Sequence, residues 1–221
     1  MDHWTEVKNI VRYLNRTKEM LLVYGGDDEL IVRGYTDAGF QTDPDDSKAQ
    51  SGYVFTLNGG AVSWKSFKQN IVVDSTMEAK YVVASKAAKE GYWIKKFVTE
   101  LGVVPTAEDP MELYCDNSSA VALAKDPRSH PKAKHIERKY HLVRDYVDKG
   151  YIKVCKIHTD LNVSDPMTKP LPRAKHEQHR KAIGVRELLL TRSLTLVQVG
   201  DCWRYALEAI IKVIIYFHVH N

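Results

Sequence analysis

Hydrophobic residues change their spacing several times along the first 70 residues, and each spacing predicts a different element. At the start they recur every three or four residues, which predicts an amphipathic helix over residues 3–18. Shorter apolar or alternating runs follow, separated by turns rich in glycine, asparagine and aspartate, and these predict strands joined by tight connections. The predicted strands are residues 21–24, 30–35, 53–57 and 61–67. We expect the last three of these strands to form an antiparallel meander.

Helices and strands alternate in the next 100 residues. Ser75, with Glu78 three residues later, has the spacing of a capping box and predicts the start of a long helix that ends at Gly102. The further predicted elements are strands at 111–115 and 151–157, helices at 119–124 and 136–147, and a turn or short helix at 162–171. This order predicts an α/β domain with one mixed sheet, in which parallel strands extend the meander.

Composition places the chain among ordinary globular proteins. Its 221 residues are 44% hydrophobic and 27% charged, enough for one domain with appendages. Three scattered cysteines without a C-x-x-C pair argue against a disulfide framework and a cysteine zinc site, so we expect an intracellular location, in the cytoplasm or nucleus. No secretory signal is visible, and charges interrupt the apolar stretch 206–219, so we expect no membrane partner.

Positive charge is concentrated in one segment. Residues 125–181 contain 15 Lys and Arg against 7 Asp and Glu, although the net charge of the whole chain is only +4. Such a block favours a polyanionic partner, with a solvated lysine-rich surface as the alternative. The residues predicted to contact nucleic acid phosphates are Arg128, Lys132, Lys134, His135, Arg138 and Lys139.

Four acidic residues stand at the ends of different predicted elements: Asp37, Glu78, Asp116 and Asp165. Carboxylates so placed can converge at one edge of a sheet, where they require cations to remain ionised together. Oxygen ligands select hard ions such as Mg²⁺, and two ions about 4 Å apart can promote an in-line phosphoryl displacement. Taken singly, Glu78 is also explained as a capping-box partner and Asp116 as part of a turn.

Several phrases occur together in one order over residues 3–172. They are Gly34-Tyr-Thr-Asp-Ala38, Ser51-Gly-Tyr-Val-Phe55, Val62-Ser-Trp-Lys-Ser66, Ser75-Thr-Met-Glu-Ala79, Tyr114-Cys-Asp-Asn117, Lys134-His-Ile136 and Asp165-Pro-Met-Thr-Lys-Pro-Leu171. Jointly they resemble the ribonuclease H domain of the Pol polyprotein of copia-type LTR retrotransposons. Residues 3–14 resemble the C-terminal end of the reverse transcriptase that precedes that domain.

This resemblance implies a ribonuclease H-like fold, a mixed five-stranded sheet flanked by helices. It implies an endoribonuclease that hydrolyses the RNA strand of RNA–DNA hybrids with two Mg²⁺ ions, for which Mn²⁺ can substitute. The implied metal-binding and catalytic residues are Asp37, Glu78, Asp116 and Asp165, and His158 is implied to assist proton transfer or product release. The implied partners are the hybrid and the reverse transcriptase portion of the same polyprotein.

The resemblance also divides the chain. Residues 1–25 correspond to the end of the reverse transcriptase, residues 26–184 to the ribonuclease H-like domain, and residues 185–221 to an unrelated tail. We expect the tail to form a loosely attached helix, so that truncation at Gly184 leaves the fold intact.

One phrase departs from the family. The family form is Ser-Ser-Thr-Glu-Ala-Glu-Tyr, whereas this chain has Met77 before Glu78 and Lys80 before Tyr81. Lys80 adds a cation near a site that is meant to hold cations. The departure keeps open an alternative function, a catalytically decayed remnant that retains the fold and at most binds nucleic acid. An integrase-type transferase is a further rival, but it would not have a glutamate at the position of Glu78.

Overall fold

The computed structural model describes residues 2–25, 30–43, 45–102, 104, 109–125 and 137–187, with the backbone alone at residues 2 and 137–140. The helices are α1 Asp2–Thr17, α2 Thr76–Leu101, α3 Ser118–Lys125, α4 Glu137–Asp148 and α5 Arg173–Ala182. The strands are β1 Met20–Leu22, β2 Val32–Gly39, β3 Gln50–Leu57, β4 Gly60–Lys68, β5 Met111–Cys115, β6 Ile152–Lys156 and β7 Val185–Glu187. Two single 3₁₀ turns, Thr159–Leu161 and Asp165–Met167, lie between β6 and α5.

Five strands form the central sheet in the order β4-β3-β2-β5-β6. The meander β2-β3-β4 is antiparallel, and β5 and β6 continue the sheet in parallel beside β2. The predicted mixed sheet, with an antiparallel meander extended by parallel strands, is therefore confirmed. With its flanking helices this is the ribonuclease H-like arrangement.

Helix α2 covers the centre of the sheet. Its N-cap Ser75 accepts a hydrogen bond from the Glu78 backbone N–H at 3.2 Å, and Gly102 ends it at a φ of 66°. Both predicted ends are thus confirmed. The helix buries Tyr81 and Val83 against sheet residues such as Phe55 and Leu113, all at most 1% exposed. Burial of this apolar surface is the main force that fixes the helix on the sheet.

Strand β2 is longer than the sequence pattern predicts. The predicted strand ends at residue 35, whereas the observed one continues to Gly39, so Asp37 lies within the strand rather than after it. Residues 36–39 remain in the ladder because each pairs with a residue of β3, with Asp37 opposite Gly52. The polar residues of this segment belong to a buried site at the end of the sheet.

A second, two-stranded sheet spans the predicted domain boundary at residue 184. Strand β7, Val185–Glu187, directly follows that boundary and pairs antiparallel with β1. The Val23 N–H donates to the Gly184 carbonyl at 2.8 Å, and the Ala61 N–H donates to the Ile183 carbonyl at 2.9 Å. Gly184 has a φ of 86°, and a Cβ there would lie 2.6 Å from the Val23 carbonyl oxygen. The helix expected in the tail lies outside the described residues.

Helix α1 is confirmed, and its apolar side chains remain at the surface. Trp4, Ile10 and Leu14 are each more than half exposed. Within the described ranges, no helix combines the length and the apolar character needed to cross a bilayer.

Candidate functional site

The register of the central sheet brings Asp37 and Asp116 together. Thr36 of β2 and Cys115 of β5 form the last pair of the parallel ladder, so the next residue on each strand is an aspartate. The Thr36 hydroxyl strengthens this junction by donating to the Tyr114 carbonyl at 3.1 Å. The two aspartate side chains are only 2% and 3% exposed.

Asp165 reaches the same place from a distant part of the chain. Asn162, fully buried before the second 3₁₀ turn, donates from Nδ2 to the Thr36 carbonyl at 2.9 Å. Its Oδ1 accepts from the Ser164 hydroxyl at 2.7 Å. The turn then packs on β3, where a Cβ on Gly52 would collide with the Met167 side chain. These contacts hold Asp165, which is 0% exposed, against β2.

Three of the four predicted acids therefore meet. One carboxylate oxygen from each of Asp37, Asp116 and Asp165 lies within 4.8 Å of the others. Glu78 is not in this group: its Oε2 accepts from the backbone N–H of Asp74, the residue before the N-cap Ser75, at 3.0 Å. Three of the four predicted acids thus form the group, and the role of each as a metal ligand stays a prediction.

The Lys80 side chain extends from α2 to the aspartates, where the sequence predicts a fourth acid. Two residues apart on a helix, side chains point about 160° away from each other, so positions 78 and 80 lie on nearly opposite faces of α2. The Lys80 Nζ lies 2.9 Å from Asp37 Oδ1 and also donates to Asp116 Oδ1. Lys80 is 8% exposed, so this ammonium group is a buried part of the site.

Two further lysines surround Asp165. The Lys169 Nζ lies 3.1 Å from Asp165 Oδ1 and 3.6 Å from Asp37 Oδ2. The Lys175 Nζ lies 3.1 Å from Asp165 Oδ2 and 3.0 Å from an oxygen of the exposed Asp160. Three ammonium groups thus face three buried carboxylates. The sequence motifs mark Lys80 only as a departure from the family phrase and give no signal for Lys169 and Lys175. The contacts of these two lysines depend on how the 3₁₀ turn Asp165–Met167 folds.

The pKa values follow from this pairing. Burial alone would raise the pKa of the Asp37 carboxyl, but Lys80, a hydrogen bond from the Thr168 hydroxyl and Lys169 together hold it below its ordinary value. Burial alone would lower the pKa of Lys80, but Asp37 and Asp116 raise it above its ordinary value. The carboxylate is therefore ionised and the ammonium protonated at neutral pH.

The residues present do not fit the two divalent ions that the resemblance implies. Three clustered aspartates are a suitable donor set for a hard ion. However, the Lys80 ammonium already contacts both Asp37 and Asp116, on oxygens that such an ion would bind. At an effective dielectric constant near 20, a divalent ion about 4 Å from this ammonium would lose about 8 kcal/mol of the attraction that it gains from the carboxylates, twice the value for two unit charges.

The other predicted site residues are not brought into the cluster. The His158 side chain is 73% exposed, and its Nδ1 accepts from the Asp160 backbone N–H at 3.2 Å. Its neighbour Thr159 is closer to the site, with its hydroxyl 3.3 Å from Asp116 Oδ2. The predicted phosphate contacts lie outside the described side chains and stay predictions: Arg128, Lys132, Lys134, His135, Arg138 and Lys139.

Partly exposed lysines border the cluster on its solvent side. The Lys169 and Lys175 side chains are 38% and 24% exposed, and Lys156 donates to the Asp116 backbone carbonyl. The described part of the basic segment therefore has cationic groups beside the buried carboxylates. Such a border is suited to contacts with a phosphate backbone.

Comparisons with known proteins identify relatives for most of the chain. It is 42% identical over 184 residues to the retrovirus-related Pol polyprotein from transposon TNT 1-94 of Nicotiana tabacum, a match that covers 83% of this chain and 14% of that protein. It is 35% identical, again over 83% of its length, to the Pol polyprotein from transposon RE2 of Arabidopsis thaliana, of which it covers 12%. The chain thus spans about one eighth of the curated relatives that it matches.

A solved structure of an N-terminal RNase H domain from Mycobacterium tuberculosis is also similar, with 13% identity and a TM-score of 0.47. The match covers 68% of this chain and 99% of that one. The strand order of the central sheet, rather than the similarity to this structure, identifies the fold. No protein-family model matches the chain.

Proposed function

We propose that the chain, which belongs to the family of copia-type retrotransposon Pol polyproteins, acts as their ribonuclease H-like domain and binds RNA–DNA hybrids without cutting them. The absence of cleavage agrees with the alternative that the sequence left open, a catalytically decayed remnant that at most binds nucleic acid, and the hybrid is the ligand of the first hypothesis. The observation that carries it is the contact of the Lys80 ammonium with both Asp37 and Asp116.

Charge supports the binding part of the proposal. The segment 125–181 has a net charge of +8, and its described lysines border the aspartate cluster. Contacts to phosphates supply affinity without reading sequence, and contacts to 2′-hydroxyls distinguish an RNA strand from a DNA strand. The charge thus supports a nucleic acid duplex as the ligand, and the similarity to Pol polyproteins makes an RNA–DNA hybrid the duplex that we propose. The reverse transcriptase portion of the same polyprotein is its proposed protein partner.

The cluster supports the non-cleaving part. Hydrolysis of the RNA strand by a ribonuclease H-type site depends on divalent ions held by carboxylates. Here α2 contributes a lysine to the group instead of an acid, and the lysine is itself the cation between two of the three aspartates. The chain thereby retains three of the implied catalytic acids in an arrangement that does not fit those ions.

The test of this proposal is a binding and cleavage assay with the full 221-residue chain. Fluorescence anisotropy is recorded with a labelled RNA–DNA hybrid and with duplex DNA of the same length, over a range of salt concentrations. We expect tighter binding to the hybrid and no cleavage in either Mg²⁺ or Mn²⁺. Cleavage by the unaltered chain would refute the non-cleaving part, and equal affinity for both duplexes would refute the hybrid preference.

A matched pair of variants tests the predicted contact region. Lys132→Ala/Lys134→Ala should weaken hybrid binding and reduce the salt slope by about 2, because each phosphate contact contributes a slope of about 1. Lys18→Ala/Lys89→Ala removes the same charge from exposed positions elsewhere and should leave the slope unchanged. Equal effects of the two pairs would show that binding depends on net charge alone.

A further inference from the structure

We infer that Lys80 is a built-in counter-ion that replaces a divalent cation between Asp37 and Asp116, so that the aspartate cluster is complete without metal. The inference deepens the proposed function by explaining how the site tolerates the absence of ions. It rests on that proposal only for the identity of the ligand, since the role of Lys80 concerns the protein alone.

Geometry is the first support. The Lys80 Nζ bonds to one oxygen of Asp37 and one of Asp116, which follow the last paired residues of two neighbouring parallel strands. A cation that joined these strand ends would have to bind the same pair of carboxylates. Because the lysine side chain is 10% exposed, its ammonium is held within the protein rather than in solvent.

Charge balance is the second support. Buried carboxylates within 4.8 Å of one another repel strongly unless cations neutralise them. Lys80 neutralises the Asp37–Asp116 side of the cluster, while Lys169 and Lys175 neutralise the Asp165 side. Three positive charges thus compensate three negative charges. The protein itself supplies the compensation that a metal-dependent site obtains from ions.

The helical position is the third support. The family phrase has two glutamates, and this chain has Glu78 at the first and Lys80 at the second. Glu78 accepts a hydrogen bond from the Asp74 backbone N–H, before the start of α2, whereas position 80 faces the aspartates. We therefore assign the fourth position of the cluster to residue 80. In this chain that position holds a cation in place of an acid.

The assignment predicts that removing the ammonium exposes a latent site for a divalent cation. Lys80→Glu would place a fourth carboxylate beside Asp37 and Asp116, and Lys80→Gln would remove the charge with less change in size. In both variants the aspartates would lack their counter-ion until a divalent ion took its place. The unaltered chain should not bind such ions, and its stability should not change when they are added.

The experiment measures Mn²⁺ binding to the full chain without nucleic acid. The loss of the free-Mn²⁺ electron paramagnetic resonance signal gives the stoichiometry, and thermal unfolding is followed in chelator and in Mn²⁺. For the unaltered chain we expect no specific uptake and no change in Tm. For Lys80→Glu we expect at least one bound ion per chain and a Tm about 5 °C or more higher at saturating Mn²⁺ than in chelator.

Control variants separate the site from general charge. Lys89→Glu makes the same charge reversal at an exposed position of α2 and should bind no more Mn²⁺ than the unaltered chain. Lys80→Gln tests the charge if Lys80→Glu folds poorly, and it should also show a Tm that rises with Mn²⁺. Specific uptake by the unaltered chain would overturn the inference. So would the absence of any gain in both position-80 variants, including a failure of both to fold at every Mn²⁺ concentration.

Hybrid cleavage by Lys80→Glu in Mn²⁺ is a further arm of the experiment. If the variant binds Mn²⁺ but neither binds nor cuts the hybrid, the counter-ion role stands and the proposed ligand is wrong. If the variant binds the hybrid as the unaltered chain does but takes up no Mn²⁺, the proposed ligand stands and the counter-ion role is wrong.

Discussion

Asn162 should be essential for holding the last acid of the cluster in place. Its amide bridges two parts of the chain, because Nδ2 donates to the Thr36 carbonyl at 2.9 Å and Oδ1 accepts from the Ser164 hydroxyl at 2.7 Å. Asn162→Ala removes both bonds, together with a longer bond of 3.3 Å from the Ser164 backbone N–H to Oδ1, and leaves buried polar groups without these partners. For the partners of the two shorter bonds alone, at about 1–3 kcal/mol each, the free energy of unfolding should fall by about 2–6 kcal/mol.

Urea denaturation followed by tryptophan fluorescence measures this loss, provided that the slope with denaturant is unchanged. Amide hydrogen exchange supplies a local readout, with faster exchange expected at the amides of Asp165, Met167 and Thr168, which are hydrogen-bonded in the turn that positions Asp165. Ser164→Ala removes one of the two bonds and should cost about 1 kcal/mol, well below Asn162→Ala.

Asn70→Ala is the control, since an exposed asparagine should contribute within about 0.5 kcal/mol. A loss below about 1 kcal/mol for Asn162→Ala, or unchanged exchange at these three amides, would contradict the bridging role.

Two further predictions concern other parts of the fold. A chain that ends after Glu187 should retain full stability, whereas one that ends after Gly184 loses the β1–β7 ladder and should be less stable by about 1–3 kcal/mol in urea denaturation. Equal stability of the two would contradict a structural role for β7. Hydrogen bonds from Lys48 and Lys68 lower the pKa of the partly exposed Asp46 to about 2 from an ordinary value of 3.8. Its contribution is therefore present above about pH 4 and lost as the pH falls to about 2, so the urea midpoints of the unaltered chain and Asp46→Asn should converge over that range.

Much of the fold follows from local patterns in the sequence. The ends of α2 were predictable because Ser75 and Gly102 are capping residues whose preference is set by the adjacent backbone. The meander was predictable because alternation and tight turns determine antiparallel neighbours without distant information. By contrast, β7 is short and polar, and its partner β1 lies more than 160 residues away, so neither periodicity nor a turn signal marks it.

The candidate site divides in the same way. The motifs in the sequence predicted four acids, Asp37, Glu78, Asp116 and Asp165, together with His158, and marked Lys80 only as a departure from the family phrase. Which of these side chains meet depends on the fold. Glu78 and Lys80 both lie in the first turns of α2, and only the orientation of that helix on the sheet determines which one faces Asp37. Lys169 and Lys175 became part of the cluster because the turn after Asn162 folds back onto β2. Buried charges must be compensated wherever the fold brings them together. Which charges come together depends on the distances between segments that are far apart in the chain. No local pattern of residues encodes those distances.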